Sequence, residues 1–344
     1  MTSKERVMTA LRLEKPDRVP HGEGLIDPGL YYKLTGKRLD IKVDTAPSSI
    51  RTSGGKELAE SQKKLAEVFQ LDIINYPMLA PVFVGQTLEV NGRKMVGNGI
   101  IRTRDDLKLL KLPDPTSKEV YKAAKEFCMN KDGYATALQI RLGIGSTLIS
   151  MGLDGFAYAI ADDSELAEVV LSTYADWSIN AVRNLVSAGF DLVWAFDDVA
   201  ENLGPLFSPK LYRETVIPHI KRVAEAIRET GVHWISHSDG DMKPILEDWL
   251  SLGMNGIHPI QPDVMDIFGL KEKIGHRVCL VGNIDMAKLS FGTSDEIRKE
   301  VSEKLERIGK GGGYIISSSN SLISEMKVEN VQMMLKLIRE QTSK

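Results

Sequence analysis

Short apolar runs rich in β-branched and aromatic residues alternate with longer stretches whose apolar positions recur every three to four residues. That pattern predicts strands separated by helices. Strands are expected at Arg18–Glu23, Leu71–Tyr76, Tyr134–Ile140, Asp191–Phe196, His233–His237, Gly256–Pro259, Val278–Gly282 and Gly313–Ser317. Helices are expected at Ser3–Leu13, Gly55–Phe69, Ser117–Met129, Ser164–Ser187, Ser208–Thr230, Lys243–Leu252, Asp266–Ile274, Ser294–Ile308 and Lys327–Gln341, with Ser3 as the first N-cap. Gly189, Gly231, Gly253 and Gly275 each close a helix and precede a strand. Eight strands with crossover helices predict a parallel (β/α)8 TIM barrel, one α/β domain over residues 1–344. No G-x-G-x-x-G opens a helix after the first strand, which argues against a dinucleotide-binding sheet. Residues 80–112 break the alternation. Within them, Glu89–Lys94 with its Asn91-Gly92 pair reads as an inserted β-hairpin.

Composition narrows the class. The 344 residues are 42% hydrophobic and 26% charged, and 44 basic against 47 acidic residues leave a net charge of −3. This is globular composition, without the basic patch that nucleic acid would require. Cys128 and Cys279 lie far apart, which excludes a disulfide framework and an all-cysteine zinc site. The N-terminus shows no apolar h-region, and no apolar run approaches membrane-span length. The expectation is a soluble, cytoplasmic protein that binds neither membrane nor nucleic acid; a homodimer is compatible with it.

Chemistry in a barrel sits where strands end. The expected strand ends carry His21 and Glu23, then Asn75 and Tyr76, Gln139 and Arg141, and Asp197-Asp198. They continue with His237-Ser238-Asp239, His258, Asn283 with Asp285, and Ser317 to Ser321. Some of these have a simpler role: Asp241, Ser208, Ser294 and Asp285 read as helix caps. His237 and Asp239, two apart, share one face of an extended segment and can bind a divalent metal or act as an acid/base pair. His233 falls at the strand start and reads as structural. Adjacent Asp197 and Asp198 point opposite ways, so one of them faces the axis.

Several separated segments carry a family resemblance. SKERVMTALRLEKPDRVP, FDDVAENLGPLFSPKLYRETVIPHIKRV, HSDGDMKPILEDWLSLGMNGIHPIQP, GNIDMAKL and GGGYIISSSNSL resemble, in order, the uroporphyrinogen decarboxylase superfamily. The resemblance implies a (β/α)8 barrel with one deep cavity. It also implies one of two chemistries: cofactor-free decarboxylation of porphyrinogen acetate arms, or methyl transfer involving a corrinoid protein, often with zinc. The decarboxylase pattern leads into Met-Arg-Gln-Ala-Gly-Arg, whose arginines hold substrate carboxylates. Here His21-Gly22-Glu23-Gly24-Leu25-Ile26 stands instead, without arginine. The decarboxylase's aspartate falls near Leu79, and its C-terminal histidine falls within Ser317 to Ser321. Thiol-methylating members resemble His-x-Cys with a later Cys; here those positions are His237-Ser238-Asp239 and Ser319.

The resemblance thus implies the corrinoid-dependent methyltransferase branch. A methyl ether, methylamine or thiol donor would pass its methyl to cobalt on a separate corrinoid-binding protein. The alternative is a cofactor-independent decarboxylase of a small acid. The expected catalytic residues are His237, Asp239, Asp197 and Glu23. The expected zinc ligands are His237, Asp239 and Glu23. Substrate contacts are expected from Asn75, Tyr76, Gln139, Arg141, Asp198, His258, Asn283, Ser319 and Asn320.

Overall fold

The computed structural model describes residues 1–39, 50–77, 84–90 and 93–341. In chain order its strands are β1 (Ile73–Pro77), the short pair β2 (Thr87–Val90) and β3 (Arg93–Val96), β4 (Ala135–Ile140) and β5 (Leu192–Phe196). There follow a second short pair, β6 (Ala200–Glu201) and β7 (Gly204–Pro205), then β8 (His233–His237), β9 (Gly256–His258), β10 (Cys279–Ile284) and β11 (Tyr314–Ser318). Seven of them form one sheet in the order β1-β4-β5-β8-β9-β10-β11. Every pairing in it is parallel, as crossover helices require.

The segment expected as the first strand, Arg18–Glu23, is reduced to a bridge. Gly22 donates to Ile316 and Ile316 to the Pro20 carbonyl, while Asp72 donates to the His21 carbonyl. This segment therefore links β11 to the start of β1, and the curled sheet is consistent with a TIM-like barrel. A full strand does not form because side chains take its other amides. Val19 N–H goes to Gln341 Oε1, His21 N–H goes to Asp72 Oδ2, and Pro20 has none.

Side-chain alternation sorts the sheet into two faces. Ile73, Ala135, Ala137, Leu192, Trp194, Ile235, Cys279, Val281 and Ile315 form an inner cluster, closed below by Val7, Ala10 and Leu11 of the first helix. The opposite faces pack against the surrounding helices. The first helix runs Ser3–Leu11, and its N-cap is Thr2, not Ser3. The Thr2 hydroxyl accepts the Glu5 N–H and Glu5 returns the bond, a capping box whose three-residue spacing selects Thr2. Gly231 (φ 76°) and Gly253 (φ 83°) take the left-handed conformation that favours glycine after a helix. The expected helix Ser208–Thr230 is interrupted by a π-turn at Tyr212–Val216. Pro218, lacking an N–H, cannot make the α-helical bond to Glu214.

Among the described residues, four α-helices arise where the pattern predicted none: Pro28–Thr35, Met286–Phe291 and, from one apolar stretch, Ile144–Met151 and Leu153–Asp162. Gly143 and Gly152 cut that apolar stretch into pieces too short to show a period. In the region expected as a hairpin, β2 and β3 pair antiparallel with Leu88 opposite Met95. The turn expected at Asn91-Gly92 lies outside the described residues. Among the described residues, no single helix is long and apolar enough to cross a membrane.

Candidate active site

The upper layer of the barrel, above the apolar cluster, is polar. His237 ends β8 and His258 ends β9, directly paired in register. Their Nδ1 atoms lie 2.6 Å apart. The edge of the His258 ring stands against Trp194 (ring centroids 5.0 Å), and Phe196 lies 4.6 Å from His237. Both histidines are nearly inaccessible, 6% and 3% exposed. Burial, reinforced by the neighbouring His237 charge, pushes the His258 pKa well below the usual histidine value.

Above His237, two carboxylates reach its outer nitrogen. Nε2 lies 3.4 Å from Asp198 Oδ1 and 3.8 Å from Asp239 Oδ1. The Asp198 side chain is 60% exposed at the mouth, whereas Asp239 is half-buried and Asn320 donates to its Oδ2. Burial pushes the Asp239 carboxyl above its usual range. Its buried Oδ1 accepts no hydrogen bond among the described residues. The ligand atoms of Asp198, His237 and Asp239 all lie within 4.8 Å of one another. The intervening Ser238 fixes the loop by accepting from Val199 N–H and donating to the Asp239 carbonyl.

Below His258 the polar layer continues inward. His258 Nε2 lies 3.3 Å from Ser317 Oγ, and Ser317 Oγ lies 3.3 Å from Glu23 Oε2. Glu23 also accepts from Ser318 N–H (2.8 Å) and Ser318 Oγ (2.6 Å), its Oε1 lies 3.0 Å from His21 Nε2, and His21 Nδ1 lies 2.9 Å from the Phe69 carbonyl.

A cavity of about 460 Å³ opens beside this cluster. Arg141, Asp198, Glu201, His237 and Asn320 supply its polar lining, and Leu148, Ile149, Leu153, Phe196 and Leu206 its apolar wall. The wall residues were not legible as site residues, because three of them sit on the unexpected helices Ile144–Met151 and Leu153–Asp162.

The sequence-predicted residues separate into groups. His237, Asp239, Asp198, Arg141 and Asn320 come together at the mouth. Glu23 and His258 lie beneath it; both Glu23 oxygens are engaged by Ser317, Ser318 and His21, and the carboxylate that shares the mouth cluster with His237 and Asp239 is Asp198. Asp197 points the other way. Its oxygens accept from Leu142 N–H (2.5 Å) and Gly145 N–H (2.6 Å), tying down the start of helix Ile144–Met151, and burial pushes its carboxyl up to about 6. Asn75 and Gln139 donate to the carbonyls of Glu23 and Gly24, clamping the bridging segment.

Tyr76 lies on the outer face of β1, edge-on to Phe127 and Phe190, so it is a core residue and not a substrate contact. Asn283 lines a different cavity of about 430 Å³ beside helix Ser294–Arg307, and donates to Ile260 O. Ser319 supports the loop after β10 by accepting Met286 N–H. Asp241 accepts the N–H of Lys243, and Asp285 and Ser208 cap short helices as expected. The cap expected from Ser294 comes from Thr293.

The uroporphyrinogen decarboxylase (URO-D) family matches residues 2–341. The chain belongs to this family. Among curated URO-D relatives, the Hydrogenovibrio crunogenus uroporphyrinogen decarboxylase is 23% identical over 317 residues, 84% of this chain and 86% of that one. The Chlorobium phaeovibrioides uroporphyrinogen decarboxylase is 26% identical over 215 residues, and the match spans 59% of the length of each. A methyltransferase from Methanosarcina mazei superposes with a TM-score of 0.77 at 21% identity, covering 99% of both chains. A B12-independent methionine synthase from Shewanella sp. W3-18-1 superposes with a TM-score of 0.50 at 10% identity, over 86% of this chain and 94% of that one. At these identities the two structures establish the shared fold.

Proposed function

We propose that this URO-D family chain transfers a methyl group from a small methylated donor to the cobalt of a corrinoid carried by a separate protein. The donor is a methyl ether, a methylamine or a methylated thiol. The observation that carries the reading is the mouth cluster of Asp198, His237 and Asp239 beside a small, largely apolar cavity.

That cluster fits a divalent cation. It offers one imidazole nitrogen and two carboxylates, and Asp239 Oδ1 is buried with no donor to satisfy it. Zinc held there by His237, Asp198 and Asp239 would supply Lewis-acid help to the oxygen, nitrogen or sulfur that loses its methyl group. The apolar wall from Leu148 to Leu206 encloses the donor's body and keeps water from the reacting carbon. Arg141 and Asn320 orient its polar end. His237 is held from below by His258, so its outer nitrogen keeps a fixed direction toward the donor.

The curated relatives carry the name of the competing reaction, decarboxylation of uroporphyrinogen. A porphyrinogen with eight carboxylates requires a cationic cavity. Among the described residues this one sets a single lining arginine, Arg141, against Asp198 and Glu201. At about 460 Å³ it suits a small ligand, near the lower end of the ~300–1,000 Å³ typical of such sites.

The test is anaerobic incubation with cob(I)alamin and a panel of methyl ethers, methylamines and methyl thioethers, followed by visible spectroscopy. At least one donor is expected to give methylcobalamin. His237→Ala should slow the reaction about 100-fold or more, the scale of losing several kcal/mol of Lewis-acid help. Carbon dioxide release from uroporphyrinogen, with cob(I)alamin unmethylated by every donor, overturns the proposal.

A further inference from the structure

We infer that Gln261, which does not line the cavity, is a positioning residue: it holds the two loops that carry Asp198 and Asp239 in place over His237. The inference rests on the metal reading of the mouth cluster, but it makes its own prediction about the protein without metal.

Asp198 stands on the loop after β5 and Asp239 on the loop after β8. The two loops are bound to one another. Val199 N–H donates to Ser238 Oγ (3.0 Å), Asp239 N–H to Asp198 Oδ1 (3.1 Å) and Asp241 N–H to the Glu201 carbonyl (2.9 Å). Gly240 lets the backbones close up, since a Cβ there would lie 2.5 Å from Glu201 N. These bonds fix the loops as a pair but do not fix where the pair sits above the strand ends.

The last ladder bond between β8 and β9 runs from Ser238 N–H to the His258 carbonyl. Beyond it, among the described residues, the hydrogen bonds from the loop pair to the loop after β9 all go to the side chain of Gln261. Its Oε1 accepts the Gly240 N–H (2.9 Å), and its Nε2 donates to Asn202 Oδ1 (2.7 Å). A backbone N–H can only donate, so the amide oxygen faces Gly240 and the NH2 faces Asn202. One planar amide thus grips both loops. Its mount is fixed on either side: Asn283, on β10, donates to the Ile260 carbonyl, and the Gln261 carbonyl accepts Met265 N–H (2.9 Å). Gly240 is buried, so without Gln261 its N–H is left unsatisfied away from water unless the loop shifts. Asn320 still holds Asp239 from the loop after β11, so the expected consequence is a displaced cluster and not a lost one.

Two substitutions test this. Gln261→Met keeps the length and bulk of the side chain and removes both bonds. Gln261→Glu keeps an oxygen toward Gly240, and the exposed Asn202 amide can turn over to donate to the other oxygen, so both bonds survive. The probes are crystal structures of the metal-free wild type and variants, and calorimetric titration of each with zinc alone. In Gln261→Met the Asp239 loop and the β6–β7 pair are expected to move from their wild-type place over His237. Zinc affinity should fall about 10-fold, the lower end of the scale for losing a group that supports metal ligands from outside. Gln261→Glu should superpose on wild type and bind zinc at least as tightly.

Unmoved loops or wild-type zinc affinity in Gln261→Met overturns the inference, and so does a Gln261→Glu variant as displaced and as weak as Gln261→Met. If wild type takes up no zinc, the metal reading fails by itself, and the loop positions still decide the role of Gln261.

Discussion

Replacing Asp72 by alanine should destabilise the fold more than any other single charge removal at the base of the barrel. Asp72 is fully buried. It accepts from Arg6 Nη1 (2.7 Å), Arg18 Nη1 (2.8 Å), Arg18 Nη2 (2.8 Å) and His21 N–H (2.9 Å). The first helix and the segment that links β11 to β1 are thus fastened to one carboxylate. Removing one partner of a buried pair costs about 3–5 kcal/mol, mostly because the other charge is left without compensation. Arg6 retains Asp17 at 2.6 and 2.8 Å, so the loss falls chiefly on Arg18. The unpaired His21 N–H adds a further cost on the order of 1–3 kcal/mol, not fully additive. The expected total for Asp72→Ala is about 4–5 kcal/mol, measured by urea unfolding at pH 7 followed by circular dichroism. Adding Arg18→Met removes the stranded charge and should recover about 1–2 kcal/mol. A loss below about 1 kcal/mol, or a double variant as unstable as the sum of the singles, refutes the reasoning.

Other outcomes follow from the same geometry. Burial acts to raise the Asp191 pKa, but bonds from Lys4, Thr136 and Lys131 outweigh it and hold the carboxyl below its usual range. A depressed folded pKa stabilises above the unfolded value near 3.9 and is lost as pH falls through the folded one. The stability gap between wild type and Asp191→Asn, about 1–3 kcal/mol at pH 7, should therefore narrow in unfolding curves taken below pH ~4. Tyr76→Phe should leave KM and kcat unchanged and Tm equal or higher, since its buried hydroxyl has no partner among the described residues; a changed KM would return Tyr76 to the site. Gly240 has φ 88°, and a Cβ there would lie 2.5 Å from the Ala200 carbonyl carbon. Gly240→Ala should displace the Asp239 loop and weaken zinc binding in a competition titration, with the unfolding midpoint falling as well.

The alternation of apolar runs and amphipathic stretches made most barrel strands legible, because a buried parallel strand reads as a continuous β-rich run. The bridging segment was harder to see. Whether Val19 and His21 pair with a strand or with Gln341 and Asp72 depends on side chains more than 50 residues away. At the mouth, the two-residue spacing of His237 and Asp239 was readable, whereas the choice between Asp197 and Asp198 was not. Both lie beyond the last strand residue, Phe196, where alternation no longer fixes direction. Glu23 has the right chemistry for a metal ligand but sits one layer too deep, and depth is not encoded in local spacing. The His237–His258 contact depends on β8 and β9 being neighbours in register, which appears only once the sheet order is known.

The most direct test of the central claim is the metal content of protein purified anaerobically and supplied with zinc, with His237→Ala and Asp198→Ala beside wild type. The account predicts about one zinc per chain in wild type and a marked loss in both variants, with folding retained. Wild-type protein without metal, or variants that hold as much as wild type, would contradict it.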